Sequence, residues 1–378
     1  MRSHGFPGCR IELDTPVEVG RAPGHHWFST VHPLSATDIL CPVVTTADMA
    51  QGKWPAVLYR SRDAGRTWSW AADLDSYGPA SVLLEPGRLL LMPYELWPMQ
   101  GETRRSAMAD GTLITCAADG SLAIETRPVR FLGFPRDLND YHQGEVCLLT
   151  NGNVLPLTGG RLFATLYGCF AGASKYDCVA VVSEDGGWTW QYLSDVARWQ
   201  DIPTGPEGPD ESNSARLPDG RLMCVYRVGS GRQHRYHCCY SSDEGASWDP
   251  PRALPDQWSV EPQLVCLENG ALLLSGGRPG LMLWVCLDGR GDSWHAVDLA
   301  DHHNAAVPDP AMHFGPGCSG ATSEGSPAYS TSYTCMKAAG PDRVLISYDR
   351  LGNGWAGAPG PWGEVDSVFV VRVRASRE

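Results

Sequence analysis

The chain has 378 residues, enough for one large repeat fold or two ordinary domains with a sizeable core. Its formal net charge of −13 at pH 7 argues against nucleic acid or anionic membrane as a main partner, and any anionic ligand must be held by local arginines. No apolar run is long enough to span a bilayer and residues 1–16 lack the apolar core of a secretory signal, which predicts a cytoplasmic protein, or a secreted one if a leader has been removed.

Glycine (42) and proline (29) are frequent and helical periodicity is scarce, so many short strands joined by turns are predicted, with any helix short. A turn between an apolar residue and a leucine-like run recurs from Leu34, Leu84, Leu157, Leu217, Leu267 and Ala338, with hairpin pairs such as Asp219-Gly220 and Asn269-Gly270 among them. A second pattern, S-x-D-x-G-x-[ST]-W, runs from Ser61 to Trp68, from Ser183 to Trp190 and from Ser241 to Trp248. A worn copy, Cys286 to Trp294, carries one inserted residue. Each of the three full copies follows a short strand-like run. Its Asp is expected to accept backbone N–H groups of its own turn, its Gly to tolerate positive φ, and its Trp to pack on a neighbouring unit. These aspartates are therefore read as structural.

The units recur at roughly 50 to 70 residues, close to a propeller blade with its loops. No Pro- or Ser-rich linker divides the chain. The prediction is an all-β protein with one domain over 1–378, a six-bladed β-propeller in which residues 1–20 form a closing strand or a tail. Seven blades stay open because residues 91–156 are long and poorly marked. The 13 cysteines, an odd number without a C-x-x-C pair, predict reduced thiols and no zinc site. The pairs His25-His26 and His302-His303 would point apart in a strand, which disfavours metal chelation. No organic cofactor and no metal are expected.

A propeller gathers functional side chains where its innermost strands begin. Glu211 lies just ahead of such a strand, Arg227 ends the next one, Arg278 follows another between glycines, and Tyr333 opens the last unit. The S-x-D-x-G-x-[ST]-W boxes and the order Glu211, Arg227, Arg278, Tyr333 resemble the Asp-box, or BNR, repeats and the site of the sialidase superfamily, over roughly residues 27 to 375. The resemblance implies an exo-acting glycoside hydrolase that removes a terminal acidic sugar from a glycan. A neutral tyrosine serves there as nucleophile because an anionic one would be repelled by the substrate carboxylate. Tyr333 is then the nucleophile, Glu211 its base and Asp48, in the loop before the first box, the acid. Arg227 and Arg278 would fork onto the carboxylate.

One position departs from the family pattern. The first blade would begin with a third clamp arginine, and the equivalent stretch here is "HHWFSTV", with Trp27 at or beside the place. A lost clamp arginine weakens carboxylate binding by about 1.5–3 kcal/mol. It would otherwise mark a site for another sugar, contacted by His25, His26 or Trp27. His142 and Glu145, which precede an inner strand, are further ligand candidates, and Glu95 is another. Two alternatives stay open: a glycosidase or polysaccharide lyase acting on uronate- or rhamnose-uronate-containing glycans, and a non-catalytic propeller that binds carbohydrate or a partner. The sequence leaves sugar, linkage and oligomeric state undetermined.

Overall fold

The computed structural model describes residues 2–49, 52–99, 104–139, 146–319, 326–357 and 364–377. His142 and Glu145 lie outside them. Strands dominate, with one eight-residue α-helix, Leu299–Ala306, and short 3-10 turns. The helix starts where the Asp298 carboxylate accepts the Asp301 N–H at 2.9 Å, a side-chain N-cap. His302 and His303 lie on this helix rather than on a strand, and both rings are buried: His302 Nε2 donates to Asp14 O, and His303 Nε2 donates to Met312 O while its Nδ1 accepts from the Tyr348 hydroxyl.

Six antiparallel runs organise the described strands. Three are separate four-stranded sheets: His32–Pro33 to Ser69–Leu74, Asp210–Arg216 to Arg252–Trp258, and Val260–Cys266 to Trp294–Asp298. Two more, Ser81–Glu85 to Leu122–Leu132 and Leu148–Pro156 to Thr189–Ala197, merge into a nine-stranded sheet. Arg130–Leu132 pairs in parallel with residues 189–191, and Glu95–Pro98 bridges the two runs. The long interval over residues 91–156 is thus filled by that bridge and by strands of ten and eleven residues, Ala107–Cys116 and Leu122–Leu132. The last run joins both ends of the chain: Thr334–Gly340 and Arg343–Arg350 continue into Asp366–Arg377, which pairs with Val17–Ala22 and with Cys9–Leu13.

The six turn signatures fall between the first and second strands of these runs. Leu34, Leu157, Leu217 and Leu267 each donate their N–H to the carbonyl four residues on, at 2.8–2.9 Å. The S-x-D-x-G-x-[ST]-W turns close as their chemistry requires. Ser61 Oγ donates to Asp63 at 2.8 Å, while that carboxylate accepts the N–H groups of Arg66 and Thr67 at 3.0 and 2.9 Å. Asp185 does the same in its turn, and the Asp243 carboxylate accepts the Ser247 N–H and hydroxyl while the Ala246 N–H goes to the Asp243 backbone carbonyl. In the worn copy Cys286 Sγ takes the serine's place against Asp288 at 3.0 Å. These carboxylates are spent on their own turns.

The same turns fasten four of the six runs to the run before them. A Cβ on Gly187 would meet Val82 and Leu90; on Gly245, Phe163 and Leu193; on Gly291, Met223 and Tyr240. The first turn continues the pattern around the molecule, because a Cβ on Gly65 would meet Leu345 and Val370 of the last sheet. The glycine is required at these places both by its positive φ and by this close approach. First and last sheets therefore pack together, and the ring closes through apolar contact as well as through strand pairing.

Candidate functional site

The first strand of every run begins near the centre of the ring, and its register fixes which side chain faces inward. The pairs Pro33↔Ile39, Leu83↔Leu89, Pro156↔Leu162, Arg216↔Leu222, Cys266↔Leu272 and Ala338↔Val344 are equivalent positions near the turns of the six hairpins. Counting five residues back from the first member of each gives Phe28, Gly78, Asn151, Glu211, Glu261 and Tyr333. Phe28, Asn151, Glu261 and Tyr333 line one narrow hollow with Asp48, Trp54, Tyr77, Pro79 and Tyr94. Glu211 and Tyr333 line a cavity of about 260 Å³ that also takes in Asp48, Glu95, Arg227 and Arg278.

Local backbone distortion aims these side chains. Glu211 and Glu261 have φ of 42° and 50°, and each starts a strand whose pairing shifts register within the next two residues. Phe28 (48°) and Arg278 (38°) are also in the left-handed region. A non-glycine residue held there costs on the order of 1–3 kcal/mol, and such costs collect where a side chain must point in a particular direction. Phe28 and Arg278 flank the Tyr333 ring, Glu211 takes its hydroxyl, and Glu261 lines the hollow beside it.

Tyr333 Oη donates to Glu211 Oε1 at 2.5 Å. The tyrosine ring lies 4.7 Å from Phe28 and 5.7 Å from the Arg278 guanidinium, measured between centres. Its backbone is set by Asp349, whose carboxylate accepts the Ser332 N–H at 2.6 Å, the Thr331 hydroxyl at 3.0 Å and the Phe28 N–H at 3.1 Å. One buried carboxylate thus ties together the strand starts that carry Phe28 and Tyr333. Burial, followed by the charge of Glu211, pushes the Tyr333 phenol well above its usual range.

The Glu211 carboxylate is buried and fully engaged. It accepts Arg227 Nε at 2.5 Å and Nη2 at 3.2 Å, the Glu261 N–H at 2.8 Å and the tyrosine hydroxyl. Burial alone would raise its pKa, but the Arg227 charge and these hydrogen bonds outweigh burial, and the net shift is downward. Glu261 and Asp210 move the other way, well up, first through burial; Glu211 repels Glu261 further, while Arg227 opposes the rise at Asp210. Glu211 is the carboxylate of this group that is held ionised.

Arg227 is surrounded by acids. Besides Glu211 it donates Nη1 to Glu207 and to Ser230 Oγ, and its Nη2 lies 3.3 Å from Asp210. Arg278 differs: its guanidinium lies 4.5 Å from the Trp355 ring, and its Nε is buried without a hydrogen-bond partner among the described residues. Asp48 is exposed at the cavity edge. Glu95 is buried and accepts the Gly52 N–H at 2.9 Å. Trp54, Tyr94, Tyr167, Tyr176 and Trp355 give the cavity aromatic walls suited to the faces of a sugar.

Trp27 is a correction. It has no exposed surface, lines neither the cavity nor the hollow, and donates Nε1 to Thr46 O at 2.9 Å. Its ring stacks between His25 and Phe28 and meets Trp355 edge-on, so it buttresses the wall from behind. Phe28, one residue on, faces Tyr333 instead. Trp27→Ala is expected to cost about 3–5 kcal/mol of folding stability, measured by urea denaturation, through cavity formation rather than loss of a ligand contact.

A neighbouring carboxyl gives a pH-dependent test of the same region. Asp366 accepts the Gly352 N–H at 2.9 Å while its Oδ2 is buried without a hydrogen-bond partner among the described residues. Burial, then repulsion by Asp349, pushes its pKa up to about 7. A folded pKa above the unfolded value near ~3.9 means that the native state holds the proton longer, so this group's contribution to stability falls as pH rises from about 4 to about 7. Asp366→Asn is expected to match wild type near pH 4 and to exceed it at pH 8, by on the order of a few kcal/mol in urea denaturation.

Sequence reasoning found Glu211, Arg227, Arg278, Tyr333, Asp48 and Glu95, which the structure brings to one cavity. It missed Glu207, Glu261, Asn151 and Trp355. Glu261 and Asn151 had a signal: each precedes its turn leucine by six residues, as Glu211 does. Glu207 and Trp355 lie outside that repeat and had none.

No family model and no curated protein sequence matches the chain. Among solved structures it is similar to a protein of unknown function from Dyadobacter fermentans, at 16% identity and a TM-score of 0.66, covering 98% of this chain and 100% of that one. It is similar to an α-L-arabinofuranosidase of Fusarium graminearum at 14% identity and a TM-score of 0.60, covering 96% and 98%. It is also similar to the Trypanosoma rangeli sialidase at 12% identity and a TM-score of 0.56, covering 96% of this chain and 59% of that longer one. At these identities the likeness speaks for architecture alone, and with the ring of antiparallel sheets it identifies the chain as having the sialidase-like propeller fold.

Proposed function

We propose that this protein is an exo-acting glycoside hydrolase, its six antiparallel runs being the six blades of the propeller and its boxed turns Asp-boxes. The observation that carries this reading is the 2.5 Å hydrogen bond from Tyr333 to a buried, ionised Glu211 at the wall of an aromatic-lined cavity. A phenol at its ordinary pKa is a weak nucleophile at neutral pH and needs a base in contact with its proton.

In the first step Tyr333 Oη bonds to the anomeric carbon of the terminal sugar, its proton passes to Glu211, and the bond to the leaving oxygen breaks as Asp48 protonates that oxygen. In the second, Asp48, now a carboxylate, takes a proton from water; the water oxygen bonds to the anomeric carbon, the tyrosyl–sugar bond breaks, and Glu211 returns the proton to the phenol. Two displacements retain the anomeric configuration. Arg227 holds Glu211 ionised before substrate arrives, so the base is ready without a proton having to leave it first.

The order of Glu211, Arg227, Arg278 and Tyr333 suggests an acidic terminal sugar, and the place of Arg278 in the cavity wall supports a carboxylate contact. The similarity to an arabinofuranosidase and the acids around Arg227 favour a second reading, a neutral terminal sugar. The test is release of 4-methylumbelliferone from N-acetylneuraminide, uronides, α-L-arabinofuranoside and α-L-rhamnoside by wild type and by Glu211→Gln. Turnover of one glycoside, reduced about 10²–10⁴-fold in Glu211→Gln, is expected. No turnover across the set, or an unsaturated uronate product from a uronate polymer, sinks the hydrolase reading.

A further inference from the structure

The cavity wall carries more acid than base. Asp48, Glu95, Glu207 and Glu211 face it, against Arg227 and Arg278. Of the two arginines, Arg227 already donates Nε to Glu211 and Nη1 to Glu207, with Asp210 beside its Nη2. Glu211 and Asp210 are buried, at 2% and 0% exposure. Glu207 is different. Its side chain is 34% exposed and it lines the cavity, so its carboxylate sits on the open side of the guanidinium, where a ligand carboxylate would have to come.

The loop is built to hold it there. Glu207 accepts the Tyr176 N–H at 2.9 Å and donates its own N–H to Val228 O at 3.3 Å, which fixes its backbone to two neighbouring elements. The glycines on either side have positive φ, and a Cβ on Gly205 or Gly208 would lie 2.5 Å from Val228 O or Tyr176 O. Lys175 Nζ donates to Gly205 O at 2.7 Å and closes the far side of the loop. Side chains at 205 or 208 would push the loop, and Glu207 with it, off the arginine.

We infer that Glu207 is the residue that sets the charge of the substrate: a resident carboxylate on Arg227 that takes the place of a sugar carboxylate and makes the site one for a neutral terminal sugar. This rests on the glycoside-hydrolase reading for its biological meaning, though not for its test. A sugar acid entering the cavity meets a guanidinium already neutralised and an acidic surround, and to bind Arg227 it must displace a carboxylate of the same chemistry. A neutral sugar displaces nothing, and its hydroxyls donate to the acids that line the wall. Glu207 is a specificity-determining residue and takes no part in moving the reacting proton.

The experiment is calorimetric titration of wild type and Glu207→Gln with two matched pairs, methyl glucuronide against methyl glucoside and methyl galacturonide against methyl galactoside, with a thermal melt of each protein as a fold check. Glu207→Gln keeps the shape of the side chain and frees a charge-assisted contact on Arg227. The ratio of acid to neutral affinity is therefore expected to rise about tenfold or more, and Glu207→Asp to keep the wild-type ratio. A ratio unchanged in Glu207→Gln, or a wild type that already prefers the acids, overturns the assignment. The two readings fail separately. A shifted ratio without turnover of any aryl glycoside leaves Glu207 as assigned and removes the hydrolase. Turnover that depends on Tyr333, with no shift in Glu207→Gln, does the reverse.

Discussion

Tyr333→Phe is expected to lower kcat/KM on whichever aryl glycoside the wild type cleaves by on the order of 10³-fold or more, with KM changing much less. The substitution removes one oxygen. It leaves the ring packed against Phe28 and beneath Arg278, so the wall that meets the sugar keeps its shape. Glu211 loses one of its hydrogen bonds but retains Arg227 and the Glu261 N–H, and its charge stays compensated. Because binding surface and charge balance survive, the defect should sit in the chemical step. Steady-state kinetics with a thermal melt checks this, and a variant that loses binding and turnover in equal measure would make Tyr333 part of the wall and nothing more. A non-catalytic, glycan-binding propeller would show binding unaffected by Tyr333→Phe and no turnover in either protein.

Arg227→Ala should be the most destabilising single change at the site. The guanidinium is the cation shared by Glu207, Asp210 and Glu211, the last two buried. Removing one partner of a buried ionic group leaves uncompensated charge, at a cost of about 3–5 kcal/mol. Without Arg227, Glu211 must be protonated to stay buried, so its folded pKa rises above the unfolded one, and that of Asp210, already raised, rises further. A carboxylate with a raised folded pKa loses stability as pH increases, and the deficit should be largest near pH 8 and shrink toward pH 5. Urea denaturation at the two pH values checks both size and sign. A deficit that does not change with pH would mean that lost packing of the arginine stem, not stranded charge, is what the substitution exposes.

The two experiments separate two uses of one network. Glu211 takes the tyrosine proton in the proposed reaction, while Arg227 keeps Glu211 ionised in a place where burial alone would protonate it. A buried base next to a buried phenol needs such a cation, because each group by itself would move toward its neutral form. Asp349 plays a positioning part at the other end of the tyrosine, holding Ser332, Thr331 and Phe28 together.

Much of this architecture was legible in the chain. The Asp63, Asp185 and Asp243 turns read correctly as structural because the hydrogen bonds to their carboxylates are local: a serine two residues back, and N–H and hydroxyl groups up to four residues ahead. Glu211, Arg227, Arg278 and Tyr333 were found because a repeat puts strand starts on a common axis, so equivalent positions in sequence become neighbours in space. Trp27 was misplaced by one residue. With φ of 48° at Phe28 the chain bends there, so that Phe28 faces Tyr333 while Trp27 packs behind it. Glu207 had no sequence signal, since its place depends on a loop pinned to Tyr176 and Val228.

The sequence by itself determined the repeat: six hairpins, the boxed turns that staple them, and the residue types offered at each strand start. All are set by interactions within a few residues, which local spacing encodes. Only the tertiary structure decided what Arg227 is bound to, that Arg278 packs on the rings of Trp355 and Tyr333, and that the two ends of the chain share a sheet. Those outcomes depend on segments far apart in the chain meeting at the axis, where burial and charge act through space and chain order carries no record of them.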